Sequence, residues 1–598
     1  MRLLMNLVQT DLSRNVIRIS MMLFWLSIIM GRPVRGEIVQ AETNQGETNS
    51  VDFELAKQAT ELLQQQCLRC HGEAFRGNAR LDFGDILTLL SEELLVPGDA
   101  AQSVIYQRIR DDEMPKNAPL AQNQKELIRR WINAGALTVP ADAPTRQART
   151  VNDDIDAIRQ NLIATDRSQR KHIRYLSLRH LHNDSRVTEE QLNRARAATS
   201  KMANSLSRES VIQAINTVDD ANTLMRIDMR DFGWLAEDWA LLEATYPYGL
   251  KFRSRGETDE LASESQLANQ LGVRHLSLRG DWFVDAVARP EFYHRFLKLP
   301  TTLPELEKEL GVDHDRDVLN YRVALAGFVT SGVSVGNRML QRHRSRDGAY
   351  WKSFDFADGK DQGNLFKRPF AALSKKASSR GEELIDATFR HDGGEMIFSL
   401  PNGLQGYFLT DGEGNRLNRG PITVVRDDRQ TGGTAEVINA VSCLGCHAKG
   451  MIDFEDTVRE GHRLRGELAR EVERLYLPND QMQQLVDTDR QRFSRAADQA
   501  MTKWGISTAR LDPSSEPIGW LVRRYGRDLD LQTAAAEIDV SPESLKQIIL
   551  ANASLQRIGL KPLADGQRVK RSSWADRSAF VSPMQEVARV AGSGTPNN

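Results

Sequence analysis

The chain of 598 residues contains four cysteines, and all of them lie in two copies of one short pattern, Cys-x-x-Cys-His. The residues of the two copies are Cys67, Cys70 and His71, and Cys443, Cys446 and His447. A disulfide framework spreads its cysteines so that they connect separate loops, which two tight pairs do not do. A zinc site made of the four cysteines would leave both adjacent histidines without a role. The pattern therefore favours a chemistry that uses two thiols and one imidazole together.

Cys-x-x-Cys-His is the attachment sequence of c-type haem. Two thiols about one helical turn apart can each add to one vinyl group of the haem, and the imidazole that follows can bind the iron. A thioredoxin-like redox pair would need one copy only and no histidine behind it. The sequence thus predicts two covalently attached haem c groups, with His71 and His447 as axial ligands of the two irons.

Residues 51–140 have the pattern of a small all-α cytochrome c domain around the first motif. Apolar residues recur at helical spacing in VDFELAKQATELLQQQ before the motif, and a second helical pattern, QNQKELIRRWINAGA, closes the segment. Between them, Met114 is followed by Pro115, which restricts the backbone of the loop. A thioether is a soft, neutral ligand that favours reduced iron, so Met114 is the predicted second axial ligand of this haem. The alternative is that Met114 only fills a gap in the core.

Two resemblances follow from these motifs. The stretches CLRCHG, VPGDAAQS, EMP and WINAGA resemble the planctomycete-type cytochrome c domain over residues 56–136. This resemblance implies haem binding, with electron transfer as the expected role. The stretches RYLSLRHLHND, LSLRGDWF, HDGGEMIFSLPNGLQGYFL and SCLGCHAKGM resemble a larger family of exported dihaem c-type cytochromes over residues 171–504. That resemblance supports haem binding at the second motif and implies no particular reaction.

The far side of the second iron has several candidate ligands. His391 lies in a β-rich stretch before the motif and is the first candidate, and an open or water-bound position is the second. If the position is open, His391 or Glu395 could act as the catalytic acid–base group. Met451 lies only four residues after His447, on the same side of the ring, and could not easily reach around it.

The chain is too long for a single hydrophobic core, and its patterns predict a multidomain, mainly α protein. An N-terminal all-α cytochrome c domain precedes a helical middle region and a β-rich segment, which leads into a second, helical haem-binding domain. A hairpin is predicted at Leu409–Leu417, LTDGEGNRL. The predicted boundaries are a signal peptide at 1–36, the cytochrome c domain at 51–140, a linker at 141–150, a mainly helical domain at 151–349, the β-rich segment at 350–440, the second haem domain at 441–505, a helical C-terminal region at 506–580 and a disordered tail at 581–598.

The N-terminal residues predict export. Basic residues precede an apolar run at 21–30, which is too short to cross a bilayer, where about 20 apolar residues are needed. This pattern is typical of a secretory signal peptide, and the alternative is an uncleaved anchor. No later run reaches transmembrane length, so the expected location is the periplasm or an equivalent space, with no transmembrane span once the signal is removed. The formal net charge of −2, from 79 basic and 81 acidic residues, disfavours a nucleic-acid partner.

Two classes of function fit an exported protein with haem 1 at the first motif and haem 2 at the second. The first is one-electron transfer between redox partner proteins. The alternative is a dihaem oxidoreductase of the peroxidase type, in which haem 1 feeds electrons to an open haem 2. No recognisable peroxidase motif surrounds the second site, so electron transfer is favoured and enzymatic activity stays open. A third class, a binding or structural role, predicts little loss of function when the ligands of haem 2 are replaced.

Overall fold

The computed structural model describes residues 54–63, 65–67, 94–96, 98–116, 118–136, 146–252, 263–329, 337–355, 364–367, 369–370, 391–427, 430–511 and 515–597. All of these belong to the compact unit Asp52–Asn598, and the predicted signal peptide lies outside the described residues. About 49% of the chain is helical and 14% is in strands, which confirms the prediction of a mainly α protein with a β-sheet segment. No helix in the described ranges combines the length and the apolar character that a membrane crossing needs.

The described part of 51–140 is helical and has a hydrophobic core of its own. Its helices are 54–63, 65–67, Val104–Arg110 and Gln122–Asn133. The last helix buries Ile128, Trp131 and Ile132 in this core, because these residues recur every three to four positions along one helix face. The N–H of Gly98 donates to the carbonyl oxygen of Ile132 at 2.8 Å and fixes the preceding loop to the closing helix.

Residues 146–329 combine helices with a small sheet. The helices are Val151–Ile163, Arg167–Arg170, Arg179–Asn183, Glu189–Ser205, Met229–Phe232, Ala236–Ala244, Glu264–Leu271, Gly280–Val287, Pro290–Phe296, Leu303–Leu310 and His314–Leu319. Strands β1 (Ile173–Ser177), β2 (Asn216–Thr217), β3 (Leu224–Asp228) and β5 (Leu278–Arg279) form a sheet in the order β2-β3-β1-β5. The mainly helical prediction for 151–349 missed this sheet, because strands of two to five residues are too short to show a period.

Half of the predicted linker is held against the residues that follow it. The guanidinium of Arg146 donates to the carbonyl oxygens of Asp184, at 3.2 Å, and of Val187. The N–H of Arg149 donates to Oδ1 of Asn183 at 2.9 Å. Residues 146–150 are therefore part of the folded body instead of a free linker, while 141–145 lie outside the described residues.

A six-stranded antiparallel sheet precedes the second motif in the sequence. Its strands are β6 (Ala324–Phe328), β7 (Arg338–Ser345), β8 (Gly348–Asp355), β9 (Gly393–Ser399), β10 (Gln405–Asp411) and β11 (Arg416–Leu417), and they are neighbours in chain order. The predicted hairpin joins β10 to β11, with Leu409 opposite Leu417. The sheet begins before the predicted boundary at 350. The prediction missed β7 (RMLQRHRS) because its charged residues pair inside the protein and hide the alternation of apolar and polar residues.

Short strands and further helices complete the chain. β12 (Arg419–Gly420) pairs with β13 (Val437–Ile438). The helices are Asn364–Lys367, Val441–Cys446, Val458–Gly461, Gly466–Leu475, Asn479–Met501, Thr502–Trp504, Thr508–Arg510, Pro517–Tyr525, Leu531–Glu537, Pro542–Ala551, Ala553–Leu555, Gln556–Leu560, Lys561–Ala564, Arg571–Trp574 and Pro583–Ala591.

The prediction of a disordered tail at 581–598 is wrong for the described residues, which extend to 597. Oγ of Ser582 accepts the N–H of Gln585 at 3.2 Å and caps the helix Pro583–Ala591. Strand β14 (Thr595–Pro596) pairs antiparallel with β4 (Leu250–Lys251). The small and polar composition of the tail indicates disorder, but its pairing with a distant strand orders it, and composition does not show such pairing.

Candidate functional site

The second Cys-x-x-Cys-His begins on a short helix, Val441–Cys446, called the CxxCH helix below. The residue before it, Ala440, is fully buried and has φ +68° and ψ −65°. The N–H of Val441 donates to the carbonyl oxygen of Asn439 at 3.0 Å, so Ala440 is the centre of a strained γ-turn with positive φ. Strain of this kind costs about 1–3 kcal/mol and persists only where the surrounding contacts hold it in place.

Buried polar contacts hold this turn. The side-chain amide of Asn439 donates to Nε2 of His294 at 2.7 Å and to the carbonyl oxygen of Tyr407, on β10, at 3.4 Å. Burial lowers the pKa of His294 to about 4, so its imidazole is neutral at pH 7 and can accept this hydrogen bond. Oγ of Ser442 accepts the N–H of Ile438 at 3.1 Å. The start of the CxxCH helix is thereby fixed against the six-stranded sheet.

The backbone orients the imidazole of His447. Its Nδ1 donates to the carbonyl oxygen of Gly450 at 3.0 Å, and its Nε2 lies 3.9 Å from Oε1 of Glu395 on β9. A hydrogen bond from one ring nitrogen to a carbonyl fixes the tautomer and leaves the other nitrogen with a lone pair for a metal. The ring of Tyr407 lies 5.9 Å from the ring of His447 and supports it from one side.

Gly450→Ala is expected to destabilise the protein by about 1–2 kcal/mol, because Gly450 has φ +88°, where a side chain is strained. The added Cβ would also lie 3.1 Å from the ring of Phe493 and would disturb the carbonyl that accepts from His447. Urea unfolding measures the stability, and the visible spectrum reports the haem site. Gly433→Ala is the matched control, since Gly433 has φ +86° and open space around its Cβ position. It should lose similar stability and leave the haem spectrum unchanged, and an equal spectral change in both variants would contradict this account.

A cavity of about 640 Å³ lies beside His447. Its walls come from the CxxCH helix, the six-stranded sheet, residues 420–427 and residues 451–457. Most of the lining is apolar or aromatic, and it includes Phe328, Leu340, Trp351, Ile397, Leu409, Leu417, Val424, Val425, Val437, Met451, Ile452 and Phe454. The β-rich segment thus leads directly into the second motif and forms much of its surroundings.

The residues of this cavity fit a haem group. The volume lies within the range of about 300–1,000 Å³ that is typical of ligand and cofactor sites. Cys443, Cys446 and His447 all line the cavity, so the two thiols and the imidazole face one space. Burial, together with the neighbouring carboxylate of Glu395, raises the pKa of the Cys443 thiol well above its ordinary value, and the thiol is therefore protonated.

Three charged side chains meet on the sheet wall of the cavity. Arg338 on β7 forms a two-point ion pair with Asp355 on β8, at 2.6 and 3.1 Å. Nη1 of the same guanidinium lies 3.7 Å from Oε2 of Glu395. Burial raises the pKa of Asp355, although Arg338 acts in the opposite direction. Sequence reasoning identified Glu395 and missed Arg338, because nothing in the pattern RMLQRHRS shows which of its basic residues pairs inside the protein.

His391, the first candidate for the second ligand of haem 2, does not line the cavity. Its ring packs edge-on against Phe354 on β8, with the ring centroids 4.9 Å apart. Both neighbours of Phe354 on the strand line the cavity, and successive side chains of a strand point to opposite faces, so Phe354 faces away from it. Burial lowers the pKa of His391 to about 4. The structure brings Glu395, and not His391, close to His447.

The first motif lies only partly within the described residues. Cys67 ends the helical segment 65–67 and packs against the core of its region, whereas Cys70 and His71 lie outside the described residues. Met114 is half-buried, and its N–H donates to the carbonyl oxygen of Arg108 at 3.1 Å. Iron ligation by His71 and Met114 stays a prediction.

The comparison with known families bears on this first motif. Residues 67–117 match the model of the family described as planctomycete cytochrome C. The matched segment contains the whole first Cys-x-x-Cys-His and Met114, and it confirms the resemblance predicted for residues 56–136. No curated protein and no solved structure matches the chain. The chain therefore contains a cytochrome c domain of the planctomycete type, and such a domain implies covalently bound haem c.

Proposed function

We propose that the chain is an exported dihaem c-type cytochrome that passes single electrons between redox partner proteins. The observation that carries this proposal is the second motif, whose two cysteines and histidine line one cavity of about 640 Å³. Together with the matched segment at 67–117, it supports two haem sites in one chain. A haem iron, when bound, supplies reversible one-electron exchange between its ferric and ferrous states.

The residues around the second motif have separate roles in this function. Cys443 and Cys446 would hold the haem through two thioether bonds, and His447 would bind the iron through Nε2. The hydrogen bond from Nδ1 of His447 to Gly450 makes the imidazole a stronger ligand and fixes its orientation. The apolar walls exclude water from the site, which favours the iron state of lower charge and so raises the reduction potential.

One observation favours the second function, a dihaem oxidoreductase of the peroxidase type. The carboxylate of Glu395 lies in the cavity beside His447, with Arg338 next to it. A half-buried carboxylate in such a position can accept a proton from a substrate and return it. In that case Glu395 would be the acid–base group of the site, and haem 1 would supply the electrons.

A spectroelectrochemical titration tests the proposal on full-length protein exported through a periplasm that attaches haem. We expect a c-type α band on reduction and two one-electron steps of equal amplitude, one for each haem. Added hydrogen peroxide then separates the two functions. Peroxide oxidises the haems of an electron carrier once. A peroxidase consumes peroxide over many turnovers for as long as an electron donor is supplied. A spectrum without the α band would contradict both functions.

A further inference from the structure

The side chain that faces the metal-binding nitrogen of His447 is Glu395, and we propose that its carboxylate is the second axial ligand of haem 2. This inference rests on the proposed function, because it needs a haem at the second motif. It gives Glu395 the place that the sequence predicted for His391, which packs against Phe354 instead.

The distance between the two side chains suits a shared metal ion. Oε1 of Glu395 lies 3.9 Å from Nε2 of His447, which is too far for a direct hydrogen bond. Metal bonds to an imidazole nitrogen and to a carboxylate oxygen are each about 2.0–2.2 Å long, as zinc sites show, so an ion bonded to both atoms from opposite sides places them about 4 Å apart. The spacing therefore leaves room for one metal ion and for no direct contact between the side chains.

The backbone fixes the direction of Glu395. Its N–H donates to Oγ of Ser353 on β8 at 2.8 Å. Alternation along β9 directs Glu395 and Ile397 into the cavity, while Met396 between them does not line it. A Cβ at Gly394 would lie 2.2 Å from the carbonyl oxygen of Ser353, so β8 and β9 approach closely at this position. The carboxylate is thus presented to the cavity from a strand that is paired on both sides.

On the sheet wall of the cavity, Glu395 and Asp355 share one guanidinium. Arg338 lies 3.7 Å from Oε2 of Glu395, but it already forms a two-point ion pair with Asp355. Within the described residues, one guanidinium therefore faces the buried carboxylate of Asp355 and the half-buried carboxylate of Glu395, and a carboxylate removed from water is costly unless a cation or hydrogen-bond donors compensate it. An iron ion bound to His447 is the cation that would complete the set. Arg338 acts here as a positioning residue, because it holds the second oxygen of the carboxylate.

An anionic oxygen ligand has a consequence for the potential. A hard, negatively charged carboxylate stabilises ferric iron, whereas a soft, neutral thioether favours ferrous iron. Haem 2 with His447 and Glu395 should therefore have a lower potential than haem 1 with the predicted ligands His71 and Met114. Electron flow from haem 2 to haem 1 is then downhill, which gives the chain a preferred direction.

Glu395→Gln tests the assignment, because it keeps the shape of the side chain and removes its charge. Electron paramagnetic resonance of the ferric protein should show a change in the signals of one haem and none in the other, and the lower of the two midpoint potentials should rise. His391→Gln is the matched control and should leave both signals unchanged, because His391 does not line the cavity. Glu395→His should give haem 2 two nitrogen ligands and a low-spin signal. This second variant tests the assignment even if Glu395→Gln does not fold.

Intact mass, which counts the haems, separates the failures. A parent chain with two haems whose ferric signals are the same in Glu395→Gln overturns the ligand assignment and leaves the proposed function standing. A change in His391→Gln alone returns the ligand role to His391. A parent chain with a single haem overturns the proposed function and the ligand assignment together.

Discussion

Replacing both Cys443 and Cys446 by alanine is expected to reduce the haem content from two per chain to one. Without thioether bonds, only the iron ligands hold the haem in its cavity, and export through the haem-attachment machinery leaves no covalent product at this motif. The variant should also be less stable by more than about 3–5 kcal/mol, the loss for removing a buried Phe or Trp side chain, because a haem ring is larger than either. Intact mass and the amplitude of the reduced α band measure the haem content, and urea unfolding measures the stability.

The matched control replaces the other pair, Cys67 and Cys70, by alanine. It should remove one haem as well, but the remaining α band should then belong to the haem in the 640 Å³ cavity, with its own midpoint potential. Replacing all four cysteines should abolish the c-type α band. If intact mass gave the same number of haems in the parent and in the Cys443 and Cys446 variant, the second motif would carry no haem, whatever the first motif binds.

The cysteine patterns and the main elements of the fold were accessible from sequence because they depend on local spacing. The Cys-x-x-Cys-His pattern needs only five consecutive residues, and the closing helix Gln122–Asn133 needs only a period of three to four. The hairpin of β10 and β11 likewise follows from turn residues between two apolar runs. In each case the determining contacts lie within one short segment of chain.

The geometry of the cavity beside His447 was not accessible from sequence, because it depends on contacts between distant segments. The γ-turn at Ala440 is held by Asn439 and His294, which lie 145 residues apart in the sequence. His391 and Glu395 are four residues apart, so alternation along a regular strand would place both on one face. His391 instead precedes β9 and packs against Phe354 on β8, a contact between segments that local spacing does not show. The sequence places both side chains near the motif but does not determine which one lies in the cavity.

Glu537→Gln is expected to destabilise the folded chain by about 3–5 kcal/mol, the usual loss when one partner of a buried ion pair is removed. Glu537 is buried and accepts hydrogen bonds from Arg279 and Arg571, both at 2.9 Å, and from Nε1 of Trp574 at 2.8 Å. These partners come from the middle region and from the C-terminal helices, so the carboxylate links distant parts of the chain. Glutamine keeps the shape but leaves Arg279 with the carboxylate of Asp281 and Arg571 with the carbonyl oxygen of Tyr525, so the positive charge of Arg571 loses its ion pair with Glu537.

Glu537 should also make the stability of the folded chain depend on pH in the acidic range. Burial alone would raise the pKa of Glu537, but Arg279 and Arg571 outweigh it and lower the pKa to about 2 from an ordinary value of 4.5. A carboxylate with a lowered pKa contributes stability that is complete above its unfolded pKa and is lost as the pH falls toward its folded pKa. The parent should therefore lose this contribution between about pH 4.5 and pH 2, and Glu537→Gln should show a flatter dependence in that window.

Glu543→Gln is the matched control, since Glu543 is an exposed glutamate on the next helix, Pro542–Ala551. The stability that Glu543→Gln loses should stay within about 0.5 kcal/mol, because the Glu543 carboxylate is exposed, its hydrogen bond from the side-chain amide of Gln547 lies on the surface, and surface substitutions have small effects. Urea unfolding of the parent and both variants at neutral and acidic pH gives the comparison. If Glu537→Gln were as stable as the parent at neutral pH, the amide oxygen would suffice for both guanidinium groups. The negative charge of Glu537 would then contribute nothing to holding the C-terminal helices against the middle region.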